Sequence, residues 1–201
     1  MKLATVRTAD GTIAARLDGD TFTEIPGHTD VGALLRNENW RTLAAEADGR
    51  RIPAAGTELD TVVPNPSKVL CTGLNYTGHI EEMGRGLPSH PTLFTKFADT
   101  LTGPADPVAA VPEDPEMDWE GELAVVVRRT AYKVTEDESA DCIAGYTVAN
   151  DISMRGWQYE AAMLVWEFVD QALAAAQLVP ATGSRSSPWP PGRRTAVSGP
   201  L

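Results

Sequence analysis

The sequence DWEGELAVVV, residues 118–127, joins closely spaced acidic residues to an unbroken apolar run. The apolar half is typical of a β-strand that is buried on both faces. Because side chains alternate between the two faces of a strand, Glu120 and Glu122 share a face, with Cα atoms roughly 6–7 Å apart. Two negative charges that close repel each other unless a positive charge lies between them. The stretch therefore predicts a strand whose acidic end has a cationic partner.

The composition is that of a globular protein in water, with 201 residues of which 42% are hydrophobic and 22% charged. No apolar run approaches the roughly 20 residues that a membrane-spanning helix needs, and the first residues lack the apolar core of a signal peptide. We therefore expect a cytoplasmic protein without a membrane partner. The net charge of −11 argues against a nucleic-acid partner, because phosphate binding needs clustered Lys and Arg. Cys71 and Cys142 have no CxxC spacing, so reduced thiols are expected.

Residues 1–62 are predicted to form a small N-terminal module of strands and one helix, closed by a proline-containing linker. Apolar residues recur at roughly helical spacing in the sequence VGALLRNENWRTLAAEA. The strands are expected at 2–7, 12–17 and 21–25, and the helix within 31–47.

Residues 63–160 show a different pattern, in which short strands alternate with short helical segments. Thr135 and Glu138 have the spacing of a capping box, which begins a helix. The strands are expected at 69–76, 91–96, 121–127 and 144–150, the last also buried, and the helices at 79–84 and about 136–143. Residues 161–201 form an atypical tail, expected as a helix followed by a disordered segment rich in Pro and Arg. The predicted class is α+β and mainly β.

The carboxylates are candidate metal ligands. Asp151 lies where a second apolar strand ends, so Glu120, Glu122 and Asp151 converge if the two strands are neighbours. Carboxylate oxygens suit Mg²⁺, Mn²⁺ or Ca²⁺ rather than zinc. The alternative is a solvated strand edge without a metal. Asp118 lies on the same face, and spacing alone leaves it open as a ligand.

A second candidate site lies in GLNYTGHIEEMG, residues 73–84. His79 and Glu82 are three positions apart, which places them side by side on a helical turn. A carboxylate beside an imidazole orients it as a general base, although an ordinary surface pair has the same spacing. Lys96 ends an apolar strand and either binds an anionic substrate or lies at the surface with its stem on apolar neighbours.

Taken together, these segments resemble the fumarylacetoacetate hydrolase family. The matching stretches are KVLCTGLNYTGHIEEMG, PTLFTKFADTLTGPADPV, DWEGELAVVV and AGYTVANDISMRGWQ, in the order of the family. The resemblance implies a mixed β-sandwich roll, usually homodimeric, with Mg²⁺ or Mn²⁺ held by Glu120, Glu122 and Asp151. It also implies a helical lid that carries the catalytic pair His79 and Glu82, with Lys96 as a further catalytic residue.

The same resemblance implies a small-molecule substrate, a β-dicarbonyl or 2-oxo acid. The first reaction expected is hydrolysis of a carbon–carbon bond, and decarboxylation or isomerisation is the alternative within the family. The family pattern is expected to end at about residue 159, before the later strands of the roll, as in a truncated chain or one with an altered C-terminus. A non-catalytic remnant with residual metal binding is therefore a further alternative.

Overall fold

The computed structural model describes residues 1–82, 84 and 86–158. Within these residues ten strands accompany four short α-helices, which confirms the α+β, mainly β class. None of the described helices is long and apolar enough to cross a membrane. The tail at 161–201, for which we predicted a helix and disorder, lies outside the described residues.

The chain divides into two compact units. The first contains residues 1–108 and 125–147, and the described part of the second contains 109–124 and 148–158. The domain boundaries near residues 62 and 160 stay predictions.

An antiparallel sheet of four strands forms the N-terminal part of the first unit, in the order β1-β2-β3-β4. The first three strands lie where the sequence predicted them. Gly11 and Gly19 have positive φ angles, 126° and 62°, at the two tight turns, and this backbone region favours glycine. The strands are β1 (Lys2–Thr8), β2 (Gly11–Asp18), β3 (Thr21–Glu24) and β4 (Arg51–Pro53).

The single helix expected within 31–47 is two short helices, α1 (Val31–Leu35) and α2 (Trp40–Ala45). Asn37 lies between them, and its side-chain amide donates to the carbonyl oxygens of Ala33 and Leu34 at 3.3 and 3.0 Å. This side chain competes with the backbone for carbonyls that a continuing helix would use. The apolar faces of both helices pack in the main core, which contains Ala14, Ile25, Val31, Leu34, Leu35, Trp40 and Ala44.

A hairpin with a helical insertion follows in the same unit. The strands β5 (Val69–Gly73) and β6 (Thr92–Lys96) pair antiparallel, with Val69 opposite Lys96. The helix α3 (Thr77–Glu82) lies between them and begins two residues earlier than predicted. A short 3₁₀ turn at Ala98–Thr100 follows β6.

Two further strand pairs carry the acidic stretch. The strands β7 (Met117–Asp118) and β10 (Ser153–Met154) pair antiparallel. The strands β8 (Gly121–Val127) and β9 (Ile143–Asn150) pair as a separate two-stranded sheet, and the expected capping box begins α4 (Glu136–Ala140) between them.

The expectation that β8 and β9 are buried on both faces was wrong for the described residues. Leu123 and Val127 on β8 are 62% and 60% exposed, and Tyr146 and Val148 on β9 are 65% and 81% exposed. The alternate residues of β8 are half buried. An apolar sequence allows a strand to be covered on both faces. A face is covered only if another segment packs on it, and the strand's own sequence does not determine that contact.

Candidate functional site

Three acidic residues at alternate positions, from the end of β7 to the start of β8, are half buried. Asp118, Glu120 and Glu122 are half buried, whereas the residues between them, Trp119 and Gly121, are exposed. The alternation expected from strand geometry is therefore present. It places the three acidic residues on the same half-buried face and leaves the residues between them exposed.

The backbone brings Asp151 to the same place. Its amide donates to the carbonyl oxygen of Glu120 at 2.9 Å, and the side chain of Asn150 accepts from the Glu120 amide at 3.0 Å. Asp151 is half buried as well. The end of β9 and the start of β8 thus place the three predicted ligands in one small region of the second unit.

The cationic partner of this acidic face is Arg155, which the sequence analysis missed. Its Nη2 lies 2.6 Å from Oε1 of Glu120 and 2.9 Å from Oδ2 of Asp118, and its Nε donates to the same Asp118 oxygen at 3.0 Å. The guanidinium side chain is only 19% exposed. The one signal in the sequence was a basic residue four positions after Asp151, and spacing alone does not show that it folds back onto the acidic strand.

Both ends of this ion pair are charged at neutral pH. The hydrogen bond from Arg155 holds the pKa of Asp118 below its usual value, and the backbone amide of Trp119 acts in the same direction. Burial by itself lowers the pKa of Arg155, but its bonds to Asp118 and Glu120 outweigh burial and raise that pKa overall. The repulsion between the neighbouring carboxylates is therefore offset by a cation that the chain itself supplies.

The predicted ligands have the right atoms for a hard divalent cation, but their side chains are not arranged around a common point. Glu120, Glu122 and Asp151 offer the carboxylate oxygens that Mg²⁺ and Mn²⁺ prefer. Across residues 1–82, 84 and 86–158, however, no group of three or more His, Cys, Asp or Glu side chains forms an arrangement that could hold a metal ion. Glu120 already binds Arg155, so it would have to share its carboxylate with a bound cation. The assignment of the three ligands stays a prediction.

The predicted catalytic pair lies on α3 in the first unit. His79 and Glu82 are both within the six-residue helix, at the spacing that places two residues on one side of a helical turn. An open cavity of about 300 Å³ adjoins this helix. Its lining includes Thr72, Asn75, Thr77, Ile80, Ser89 and His90. The structure confirms the helix, and the catalytic role of the pair stays a prediction.

Lys96 ends β6 and is half buried. Its Nζ lies 5.9 Å from the centre of the Phe94 ring, within the range of a cation–π contact. Both alternatives for Lys96, binding of an anionic substrate and a surface position with its stem on apolar neighbours, stay predictions. Cys71 and Cys142 are not joined in a disulfide, in line with the reduced thiols expected.

Known proteins with similar sequences and structures share one family. Residues 68–187 match the family described as fumarylacetoacetate (FAA) hydrolase C-terminal. This range extends past residue 159, where the sequence analysis expects the family pattern to end. The bovine protein named oxaloacetate tautomerase FAHD2A, mitochondrial, is 42% identical over 145 residues, which cover 71% of this chain and 46% of that protein. The chain thus spans about half the length of this curated relative.

Two crystal structures show the same relationship. The 5-carboxymethyl-2-hydroxymuconate delta-isomerase of Mycobacterium smegmatis has a TM-score of 0.61 at 30% identity, over 80% of this chain and 57% of that one. The maleylpyruvate hydrolase of Sphingobium sp. SYK-6, solved with manganese(II) and pyruvate, has a TM-score of 0.61 at 27% identity, over 78% and 60% of the two chains. With the family match covering more than half of its residues, the chain belongs to the fumarylacetoacetate hydrolase family.

Proposed function

We propose that this protein is a metal-dependent enzyme that acts on 2-oxo acids by moving a proton at the carbon next to the keto group. The observation that carries the proposal is the meeting of Glu120 and Asp151 at paired strand ends, with Glu122 on the same face and Arg155 beside them. Relatives support the choice of substrate class. One is named an oxaloacetate tautomerase, and another was crystallised with manganese(II) and pyruvate, a 2-oxo acid.

Each residue has a distinct role in this proposal. Glu120, Glu122 and Asp151 would hold Mg²⁺ or Mn²⁺, which when bound supplies a Lewis acid for the keto oxygen. His79, oriented by Glu82, takes the proton from the carbon and returns a proton to the oxygen, which completes a keto–enol exchange. Lys96 contributes a positive charge that favours an anionic substrate.

Tautomerisation of a 2-oxo dicarboxylic acid is the first candidate reaction, because the curated relative at 42% identity is named for it. It needs only the proton transfers at His79 and breaks no carbon–carbon bond. Hydrolysis of a carbon–carbon bond is the second candidate, favoured by the maleylpyruvate hydrolase. In that reaction His79 takes a proton from water, the hydroxide attacks the carbonyl, the carbon–carbon bond breaks, and the leaving carbanion receives a proton.

The two reactions are distinguished by their products. The 201-residue chain is given oxaloacetate or an acylpyruvate, with Mg²⁺ or Mn²⁺ and again after EDTA. Loss of the enol absorbance without any cleavage product supports tautomerisation, and formation of pyruvate from the acylpyruvate supports hydrolysis. No metal-dependent turnover of either substrate by a folded chain would contradict the proposal and favour a non-catalytic remnant.

The role of His79 predicts a separation of two measurements. His79→Ala should lower turnover by about 100-fold or more, because a positioned general base contributes that much, while the Mn²⁺ dissociation constant measured by calorimetry stays near that of the parent. Glu82→Gln should lower turnover, and Glu81→Gln, its exposed neighbour on α3, should not. His28→Gln controls for loss of a histidine elsewhere. Equal losses of turnover and metal affinity in His79→Ala would show that His79 is not the base.

A further inference from the structure

Asp114 is a buried carboxylate that joins two distant parts of the second unit. The residue is 4% exposed. Its Oδ1 accepts from the amide of Glu116 at 2.9 Å, and its Oδ2 accepts from the amide of Trp157 at 2.8 Å. A buried carboxylate is costly unless its oxygens are hydrogen-bonded, and both oxygens of Asp114 are. The side chain therefore connects the loop before β7 to the helical turn at residues 155–158.

Gly156 leaves the room that this arrangement requires. A Cβ atom added there would lie 2.8 and 2.9 Å from the two carboxylate oxygens of Asp114, and 3.0 Å from its Cγ. Such distances are shorter than real Cβ contacts, so any larger residue would displace either the turn or the carboxylate. Gly156 and Trp157 together form the position in which the Asp114 side chain lies.

Arg155 occupies the turn immediately before these two residues. Its amide donates to the carbonyl oxygen of Glu116 at 2.9 Å, so the backbone on both sides of the arginine depends on the loop that Asp114 holds. The neighbouring strands β7 and β10 pair with each other through only two residues each. Asp114 thus accepts two of the hydrogen bonds that fix the backbone position of Arg155.

We propose that Asp114 is a positioning residue, which holds the turn at 155–158 so that the guanidinium of Arg155 lies against Asp118 and Glu120. The inference rests on the proposed function only in that Glu120 belongs to the site. Loss of the Asp114 carboxylate frees the turn, and Arg155 then leaves the acidic face. The close contact at Gly156 gives a second way to disturb the same turn, because a larger residue there would push on the Asp114 carboxylate.

The test follows the Nε–H group of Arg155, which donates to Asp118. Its hydrogen-exchange rate is measured by NMR on the chain labelled with ¹⁵N-arginine, without metal or substrate, so the outcome is independent of the proposed function. Arg16 is the internal control, because its Nε–H donates to Asp18 in the N-terminal sheet at 2.7 Å. In Asp114→Ala the Arg155 rate should rise about tenfold, the effect of losing roughly one net hydrogen bond, while the Arg16 rate stays unchanged.

Three further variants make the test decisive. Glu113→Ala removes the neighbouring exposed acid and should change neither rate. Gly156→Ala should raise the Arg155 rate, and adding it to Asp114→Ala should cause little further change, because residues in contact are not additive. If Asp114→Ala also exposes Arg16, the fold has been lost, and Asp114→Asn, which keeps the shape and one acceptor, replaces it. An Arg155 rate equal to that of the parent in a folded Asp114 variant overturns the proposal.

Discussion

Glu120 has charged neighbours of both signs, and their balance determines what the acidic face can bind. Glu122, two positions later, shares its half-buried face. Arg155 contacts the carboxylate of Glu120 at 2.6 Å. The guanidinium offsets the repulsion between the carboxylates when no other cation is bound. A divalent cation would interact with the same carboxylates more strongly, because it carries twice the charge. Glu122 lies on the same half-buried face as Glu120, so its removal tests whether that face binds a metal.

We expect millimolar Mg²⁺ or Mn²⁺ to raise the thermal unfolding midpoint of the chain, and expect no such rise in Glu122→Ala. A ligand that binds only the folded state stabilises it by about 2.7 kcal/mol at one hundred times its dissociation constant. The measurement is a melting curve with and without the metal. Glu116→Ala is the matched control, because this exposed acid precedes β7 in the same unit, and it should keep the full shift. An equal shift in Glu122→Ala would remove Glu122 from the ligand set.

At the scale of single elements, α4 depends on the residue that caps its N-terminus, Thr135. The helix has five residues and none of them is buried, so packing contributes little to it. Thr135 and Glu138 form the complete capping box. The Glu138 amide donates to the Thr135 hydroxyl at 3.3 Å, and the Thr135 amide donates to the Glu138 carboxylate at 2.8 Å. A helix this short is marginal without such bonds, so its cap is the main local contribution to its stability.

Thr135→Ala should therefore lower the free energy of unfolding by about 1 kcal/mol, the usual cost of losing an N-cap side chain. Urea denaturation measures the change, and Thr130→Ala, at an exposed threonine before the helix, is the control. The amide and the hydroxyl of Thr135 lower the pKa of Glu138, so this stabilisation is present above the usual glutamate pKa and is lost as the pH falls through the lowered value. A Thr135→Ala chain as stable as the Thr130→Ala chain would show that the cap does not stabilise the fold.

At the scale of the whole molecule, an ionic network joins distant parts of the first unit. Arg7 on β1 donates to Asp106 at 2.6 Å and to Asp60 at 3.2 Å. The amide of Gly103 also donates to Asp106, at 2.7 Å. These contacts join the N-terminal sheet to the linker after it and to the loop after the 3₁₀ turn, across as many as 99 positions of sequence.

This network predicts how stability depends on acid. The hydrogen bond from Arg7, followed by that from the Gly103 amide, lowers the pKa of Asp106 from 3.8 to about 2. Because the folded pKa is the lower one, the unfolded chain binds the proton first, so stability from this group is present above about pH 4 and is lost as the pH falls toward 2. Asp106→Asn should flatten the fall in the urea midpoint between pH 4 and 2. Asp99→Asn, an exposed acid in the 3₁₀ turn, should leave that slope unchanged, and equal slopes in the two variants would contradict the assignment.

Relations between near neighbours in sequence were predictable. The shared face of Glu120 and Glu122, the capping box at Thr135 and the placement of His79 and Glu82 on one helix follow from positions two or three apart, because strand and helix geometry determine them directly. The break between α1 and α2 was missed. Asn37 opposes the helical pattern by bonding to nearby carbonyl groups, and apolar periodicity does not report a competing side chain.

The sequence by itself determined the family, the mainly β class and the residue types of the candidate site, since these depend on local pattern and on recognisable stretches such as DWEGEL. Only the tertiary structure decided which cation meets those carboxylates and what holds it there. Arg155 reaches Asp118 across 37 positions, and Asp114 reaches Trp157 across 43. Contacts at that range depend on how whole strands pair and on how much room a residue such as Gly156 leaves, and neither quantity is a property of a single stretch of chain.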